Sequence, residues 1–332
     1  MRNLIPIWLL FLGLPVALPG QFSPPSTHFL EPADTLNPGR FRACVTAGAA
    51  IYASASVGLY HLWYKNYDLT GFHTFNDLGE WEDMDKLGHT VTAYNQSVLS
   101  YYGARWTGLE HKKSIALAAG VGMLLQGTVE VMDGFSEKWG FSWADVAFNT
   151  LGVTLFAGQE LAWRDQRLLL KISNSRPGYP DVTVPAEGGG PPMNLRQRAE
   201  ELYGSSYAEA FLKDYNGQTL WASLNPASFY GQNKPGWLPA WLNIAVGYGA
   251  ENMFGGYDNY WSDEDGNSYA LDPQAFPRYR QFYLSLDIDL RRIPTHKRGL
   301  RFLFGALNWI KIPAPALEVN TAGGVKFHPM YW

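Results

Sequence analysis

The chain has one cysteine, Cys44, among its 332 residues, so no internal disulfide can staple it. It is also poor in charge: Asp, Glu, Lys and Arg together make up 17%. The two signs nearly cancel, 26 basic against 30 acidic for a formal charge of −4, which excludes the basic face that nucleic acid demands. Catalytic signatures are missing as well. There is no Gly-x-Ser-x-Gly elbow, no Walker-type phosphate loop and no Gly-x-Gly-x-x-Gly after a strand. The acidic stretch around Asp263, Asp265 and Asn267 misses the EF-hand order, because Ser268 stands where glycine is required and no Glu closes the loop. Residues 258–272 therefore predict a solvated hairpin loop.

What is present is apolar and aromatic. Hydrophobic residues make up 46% and aromatic ones 15%, with 13 Trp and 19 Tyr. That balance implies a membrane neighbour rather than a cytosolic enzyme. Residues 1–20 predict an export signal: Arg2 gives the positive start, residues 4–18 the apolar run, and Gly20 a small residue for cleavage. Pro6 and Pro15 interrupt that run, which argues against an uncleaved anchor.

Residues 21–40, rich in Pro and Ser, predict an extended arm. A helical region is expected over 41–172. Its first segment, 43–64, is free of charge, about as long as a bilayer demands, and crowded with small residues such as Ala47, Gly48, Ala49 and Ala50. Three further charge-free runs, 87–104, 114–129 and 146–159, are shorter or less apolar. Four helices in a compact bundle, embedded in or lying against a membrane, fit this pattern better than four independent spans.

Three of these helices carry a polar stripe at helical spacing. Asp85, His89, Thr92 and Gln96 share one face; Gln126, Glu130 and Asp133 share another; Asp145, Asn149 and Gly152 a third. Packed together, they gather four carboxylates around one histidine. Asp85 and Asp145 have a structural account as acids at helix starts, and Ser142 three residues before Asp145 has capping spacing. Glu130 and Asp133 fall in a last helical turn, where the dipole disfavours negative charge, so they need a compensating cation. Lys86, a protonated His89, Lys138 or a metal ion are the candidates. His with carboxylates suits Zn or Mn, although no familiar ligand spacing is present. Asp85, His89, Glu130 and Asp133 are thus the candidate ligands of a divalent metal, the one cofactor the chain suggests.

The motifs Asp85-Lys86-Leu87-Gly88-His89, Glu130-Val131-Met132-Asp133-Gly134 and the run from Ser142 to Gly152 resemble domain-of-unknown-function family 2279, the YfiM-like envelope proteins. A more distant likeness is to VanZ-like membrane proteins, which carry a similar Asp-Lys-x-x-His element at the start of a helix. The resemblance covers about residues 40–165. It implies an exported, envelope location and a small helical bundle, and it brings no reaction. This chain departs from the lipoprotein members in lacking a lipidation cysteine at the end of the export signal, so its own apolar surface is expected to hold it to the membrane.

Residues 173–194, with five prolines and a Gly188-Gly189-Gly190 run, predict a linker. The remainder, 195–332, changes to a β pattern after an amphipathic helix at 195–214. Strands are expected at 219–224, 241–249, 280–290 and 325–332. The clearest alternation sets Phe282, Leu284, Leu286, Ile288 and Leu290 on one face. A short apolar helix with Trp309 is expected at 300–312. A terminal strand ending in Tyr331-Trp332 is similar to that of outer-membrane barrels, but those need eight strands and about four are legible. The expected fold is therefore α+β, a four-helix apolar bundle followed by a small antiparallel sheet with an accessory helix.

Two functions stay open. One is a non-enzymatic, membrane-associated envelope protein whose polar core fixes helix register, with membrane lipid or another envelope protein as partner. The other is a membrane-embedded hydrolase or transferase acting on an envelope lipid or glycan. There His89 is the general base, Asp145 and Asn149 orient it or the substrate, and Glu130 with Asp133 holds a cation.

Overall fold

The computed structural model describes residues 29–65 and 67–332; the export signal expected at 1–20 and the start of the arm lie outside them. The α+β class holds, with helices first and sheet second. Helix α1 (Pro38–Leu59) starts on Asn37, whose side chain accepts from the Arg40 amide, with Pro38 in the first turn. Helices α2 (Met84–Trp106), α3 (His111–Gly134) and α4 (Trp143–Trp163) pack on one another. The expected four-helix bundle is thus a trio with α1 laid alongside: Ser56 is the one residue of α1 that is buried, and Val45, Ile51 and Val57 stay exposed. Small side chains give α1 little to interdigitate with.

Glycine lets the trio close. A Cβ at Gly152 on α4 would lie 2.2 Å from the Thr90 carbonyl oxygen on α2. One at Gly122 on α3 would lie 2.3 Å from Ser97 Oγ. Among the described helices α3 alone is long and apolar enough to cross a bilayer, but it packs its Gln126 and Glu130 inward against the other two.

After α4 come β1 (Leu168–Asn174), three two-residue strands β2 (Thr183–Val184), β3 (Ala186–Glu187) and β4 (Met193–Asn194), and helices α5 (Leu195–Tyr203) and α6 (Tyr207–Lys213). The single helix expected over 195–214 is broken at Gly204, which adopts φ +82°, and restarts on the Ser206–Glu209 capping box. Then follow β5 (Gln218–Leu224), β6 (Leu242–Glu251), the short hairpin β7 (Tyr260–Ser262) and β8 (Ser268–Ala270), β9 (Tyr279–Ile288), α7 (Arg298–Leu307), β10 (Ala314–Asn320) and β11 (Val325–Tyr331).

Six strands form one antiparallel sheet in the order β1-β5-β6-β9-β10-β11. It is larger than expected by β1 and β10. The boundary placed at residue 172 falls inside β1, where Lys171 interrupts the apolar run Leu168-Leu169-Leu170. In β10, Pro315 sits at a register shift against β11, which is how a strand tolerates it.

The main core joins the helix trio to the sheet: Tyr94, Ile115 and Phe156 meet Leu170, Leu220 and Ala250. A second core sets Leu195 and Tyr203 of α5 against Phe254, Trp261 and Tyr269 around the small hairpin. The alternation on β9 is present with an unusual sense. Phe282, Leu284 and Leu286 are exposed, while Gln281, Tyr283, Ser285 and Asp287 are buried.

Gly152→Ala is expected to destabilise the protein by about 1–3 kcal/mol, since the new methyl meets backbone that cannot move aside. Gly158→Ala on the same helix meets nothing within 4 Å and should be neutral or stabilising by up to about 1 kcal/mol. Thermal melts of the two variants beside wild type check the pair; equal melting temperatures would refute the close approach of α2 and α4.

Candidate functional site

The polar stripes of the three helices meet around Lys86, whose side chain is fully buried. Its Nζ lies 2.7 Å from Asp77 Oδ2, 2.8 Å from Asp85 Oδ2 and 2.7 Å from Asp145 Oδ1. These acids come from the loop before α2, from α2 itself and from the first turn of α4. Ser142, the N-cap of α4, accepts from the Asp145 amide and donates to Asp77 Oδ1 at 2.7 Å. The capping spacing is therefore real, and it also places Asp145.

One turn on, His89 sits between carboxylates. Its Nε2 is 3.8 Å from Asp85 Oδ1 and 3.6 Å from Asp145 Oδ1. Its Nδ1 is 3.1 Å from Asn149 Oδ1, an acceptor, so that nitrogen carries a hydrogen. Asn149 in turn donates to Glu130 Oε1 at 3.3 Å. Glu130 is 1% exposed, and its Oε2 has no hydrogen-bond partner among the described residues. Asp133 lies at the edge of the group and accepts from Tyr64 at 2.7 Å. Tyr215, far along the chain, donates to Asp85 Oδ1 at 2.7 Å.

Burial and neighbours divide the acids into two kinds. Burial alone would raise Asp85, but the charges of His89 and Lys86, with hydrogen bonds from Lys86 and Tyr215, hold it below the usual range. Asp77 is likewise held low against burial by its bonds to Asp145, Lys86 and Ser142. Glu130 goes the other way: burial, with Asp145 and Asp133 nearby, pushes it up to about 8. Burial pushes Asp133 to about 7 and Asp145 to about 6. His89 is raised, because Asp85, Asp145 and Glu130 outweigh its burial.

All the candidate residues thus lie in one neighbourhood, but they do not play equal parts. Asp85, His89 and Asp145 each offer one ligand atom, all within 4.8 Å of one another, a spacing that a metal ion could bridge. Asp133 is turned to Tyr64 instead, and Lys138, a candidate compensating cation, donates to Tyr67 at 2.5 Å. The cations beside the acids are Lys86 and His89. Asp77, Tyr64 and Tyr215 were not among the expected site residues. Asp77 belongs to an acidic loop, which was the available signal; the two tyrosines carry none.

The family comparison matches the segment that carries the acidic loop, α2, α3 and most of α4. Residues 74–158 match DUF2279, described as predicted periplasmic lipoprotein. Lys86, His89, Glu130, Asp133, Asp145 and Asn149 all fall within the DUF2279 segment; Tyr64 and Tyr215 fall outside it. The family's description agrees with an exported protein of the cell envelope. Compared with curated proteins and with solved structures, the chain finds no match in either.

The pKa directions fix a pH dependence. Glu130 and Asp133 hold their protons more tightly folded than unfolded, so above their ordinary values of 4.5 and 3.8 the unfolded chain ionises first and stability falls. His89 contributes stability that is complete below 6.5 and lost as pH rises past its higher folded value. Asp77 and Asp85 contribute stability that is lost as pH drops below 3.8. Stability is therefore expected to peak in mild acid and to fall by on the order of a few kcal/mol towards pH 8. Glu130→Gln should flatten that fall; an unchanged slope in denaturant melts from pH 5 to pH 8 would show that Glu130 is ionised throughout.

Proposed function

We propose that this is a non-catalytic, membrane-associated protein of the cell envelope, in which the Lys86 cluster locks three helices and a loop into one register. The observation that carries this reading is the buried ammonium itself. Lys86 reaches carboxylates on three separate segments, and a fully buried cation is tolerated only when such partners surround it. With charge supplied by Lys86 and His89, Asp77, Asp85 and Asp145 all have a cationic partner inside the protein. The large apolar side chains exposed on α1 and the sheet support membrane association.

A second reading has a specific observation in its favour. The donor triad of Asp85, His89 and Asp145 suits Zn or Mn, and the unpartnered Glu130 Oε2 lies beside it. In that case His89 and the two aspartates would hold a metal that polarises a bound ester or activates water, with Asn149 fixing the His89 ring. Against it, the ammonium of Lys86 already occupies the same carboxylates.

Lys86→Met separates the two. Under the structural reading it leaves three acids uncompensated and costs about 3–5 kcal/mol, read as a large drop in melting temperature. A variant that melts like wild type would overturn that reading. Elemental mass spectrometry of detergent-purified wild type beside His89→Ala is expected to find no stoichiometric metal in either. One equivalent of Zn or Mn in wild type, lost in His89→Ala, would establish the metal reading instead.

A further inference from the structure

We propose that the open apolar face of β6, β9, β10 and β11, with α7 at its rim, is a lipid-docking surface that lies against the hydrocarbon of an anionic bilayer. The proposal rests on the membrane-associated reading above and names the surface and the lipid that reading leaves open.

The sheet is inverted with respect to water. Its inner face is polar and self-satisfied. Lys171 and Asp287 form a fully buried ion pair at 2.8 Å, and Ser223, Asn243 and Asn225 continue the network. Across that face Tyr331 stacks on Tyr283, and Glu318 bonds His328 at 2.7 Å. Its outer face is apolar in continuous rows. Val246, Leu284, Leu317 and Phe327 are cross-strand partners over four strands, and all are exposed. Phe282, Val319 and Val325 form a parallel row, and Ile244 with Leu286 a third. On β1 and β5 the same outer face is covered, Leu170 and Leu220 packing into the core with α2. Beyond β5 it is covered at one end, where Tyr248 and Ala250 of β6 pack into the core and Arg280 of β9 pairs with Glu82 and Asp83; the three apolar rows stay exposed. Polar-in, apolar-out alternation is the pattern of strands whose outer solvent is lipid.

One end of the sheet supplies the interface. The starts of β6 and β10 and the end of β11 lie together there; exposed Trp332 closes β11 and exposed Trp237 sits in the segment leading into β6, while exposed Trp309 lies between α7 and β10, its carbonyl accepting from the Ile172 amide of β1. Tryptophan is enriched where hydrocarbon meets water. Between β9 and β10, α7 has no buried residue and exposes Leu300, Phe302, Leu303 and Leu307 beside Arg298 and Arg301. Residues 290–317 contain no Asp or Glu, while Lys297, Arg298 and Arg301 are exposed. An amphipathic helix with a basic edge is complementary to anionic headgroups.

Flotation of the detergent-purified full chain with phosphatidylcholine vesicles, with and without phosphatidylglycerol, tests this. Wild type is expected to float, more so with phosphatidylglycerol, and Arg301→Glu to lose that preference. The double variant Leu284→Glu/Leu317→Glu should bind roughly tenfold or more weakly, whereas Leu117→Glu/Leu124→Glu on the exposed side of α3 should bind like wild type. The opposite result for the two double variants would overturn the sheet as the surface and leave membrane association standing. Failure of wild type to float would overturn both. A dimer of wild type lost only in the sheet variant, read by light scattering, would make a second copy the occupant and overturn the lipid assignment. Should the sheet variant lose its near-ultraviolet circular dichroism, quenching of wild-type fluorescence by brominated lipid decides: quenching that falls in Trp309→Phe supports the proposal, and none overturns it.

Discussion

A buried ammonium cannot be left alone in a protein interior, and the helical half of this chain is arranged around that constraint. Lys86 draws Asp77 out of a loop, Asp145 from the first turn of α4 and its neighbour Asp85 into one contact set. Those contacts help hold Asp77 and Asp85 low against their burial. Asp77 and Asp85 stay ionised, and His89, beside Asp85 and Asp145, is favoured as imidazolium. Glu130 and Asp133, which accept from Asn149 and Tyr64, are raised by burial and favour their neutral forms more than the other acids do. Acids that looked redundant on helical stripes thus separate by environment: Asp77 and Asp85 are held low by their partners, while burial raises Asp145, Asp133 and Glu130, Asp145 even though it touches Lys86.

The cluster also depends on backbone that is locally unfavourable. Trp81, Glu82 and Asp83, directly before α2, adopt φ of 53°, 54° and 63°, a left-handed turn that costs about 1–2 kcal/mol per residue. The C-terminal half holds it there. Arg278 and Arg280 reach Glu82 at 3.1 and 3.0 Å, and Arg280 reaches Asp83 at 2.8 Å. The Trp81 amide donates to the Gly256 carbonyl at 2.7 Å, and the Trp81 ring packs on Tyr203 and Tyr215. Tyr215 then touches Asp85 itself. The segment that matches DUF2279 supplies the charges, and the sheet half sets the angle at which the first of them enters α2. In this chain the polar cluster is a joint product of both halves.

How much of this was legible follows from the range of each interaction. Asp85 and His89, Gln126 and Glu130, Asp145 and Asn149 are each four residues apart, so helical period alone aligned them, and the Ser142 cap was legible for the same reason. Tyr64 and Tyr215 were not, because contacts across 69 and 130 residues leave no local trace. Most strands were read from their alternation. The pattern hides β1 because Lys171 in an apolar run looks like an exit from a helix, and β10 because Pro315 within it and Pro313 just before it argue against a strand. The break at Gly204 was hidden by amphipathic character on both sides of it.

Alternation carries a deeper ambiguity, and it bears on where this protein lives. A period of two states that a strand has two unlike faces; it does not state which faces inward. In β9 the inward face is chosen by pairing. Asp287 meets Lys171 and Ser223, Ser285 meets the Pro315 carbonyl, and Gln281 meets Glu251 and Glu318. A buried ion pair of this kind contributes little net stability against a hydrophobic replacement. Turning Phe282, Leu284 and Leu286 outward into water would forgo roughly 1.5–3 kcal/mol for each. An inverted sheet is therefore a poor solution in water and a good one where the outer solvent is apolar. The same logic extends to α7, whose Leu300, Phe302, Leu303 and Leu307 stay exposed among the described residues. On the lipid-docking proposal, low charge, abundant tryptophan and a sheet that hides its polar residues are one adaptation expressed at three levels of structure.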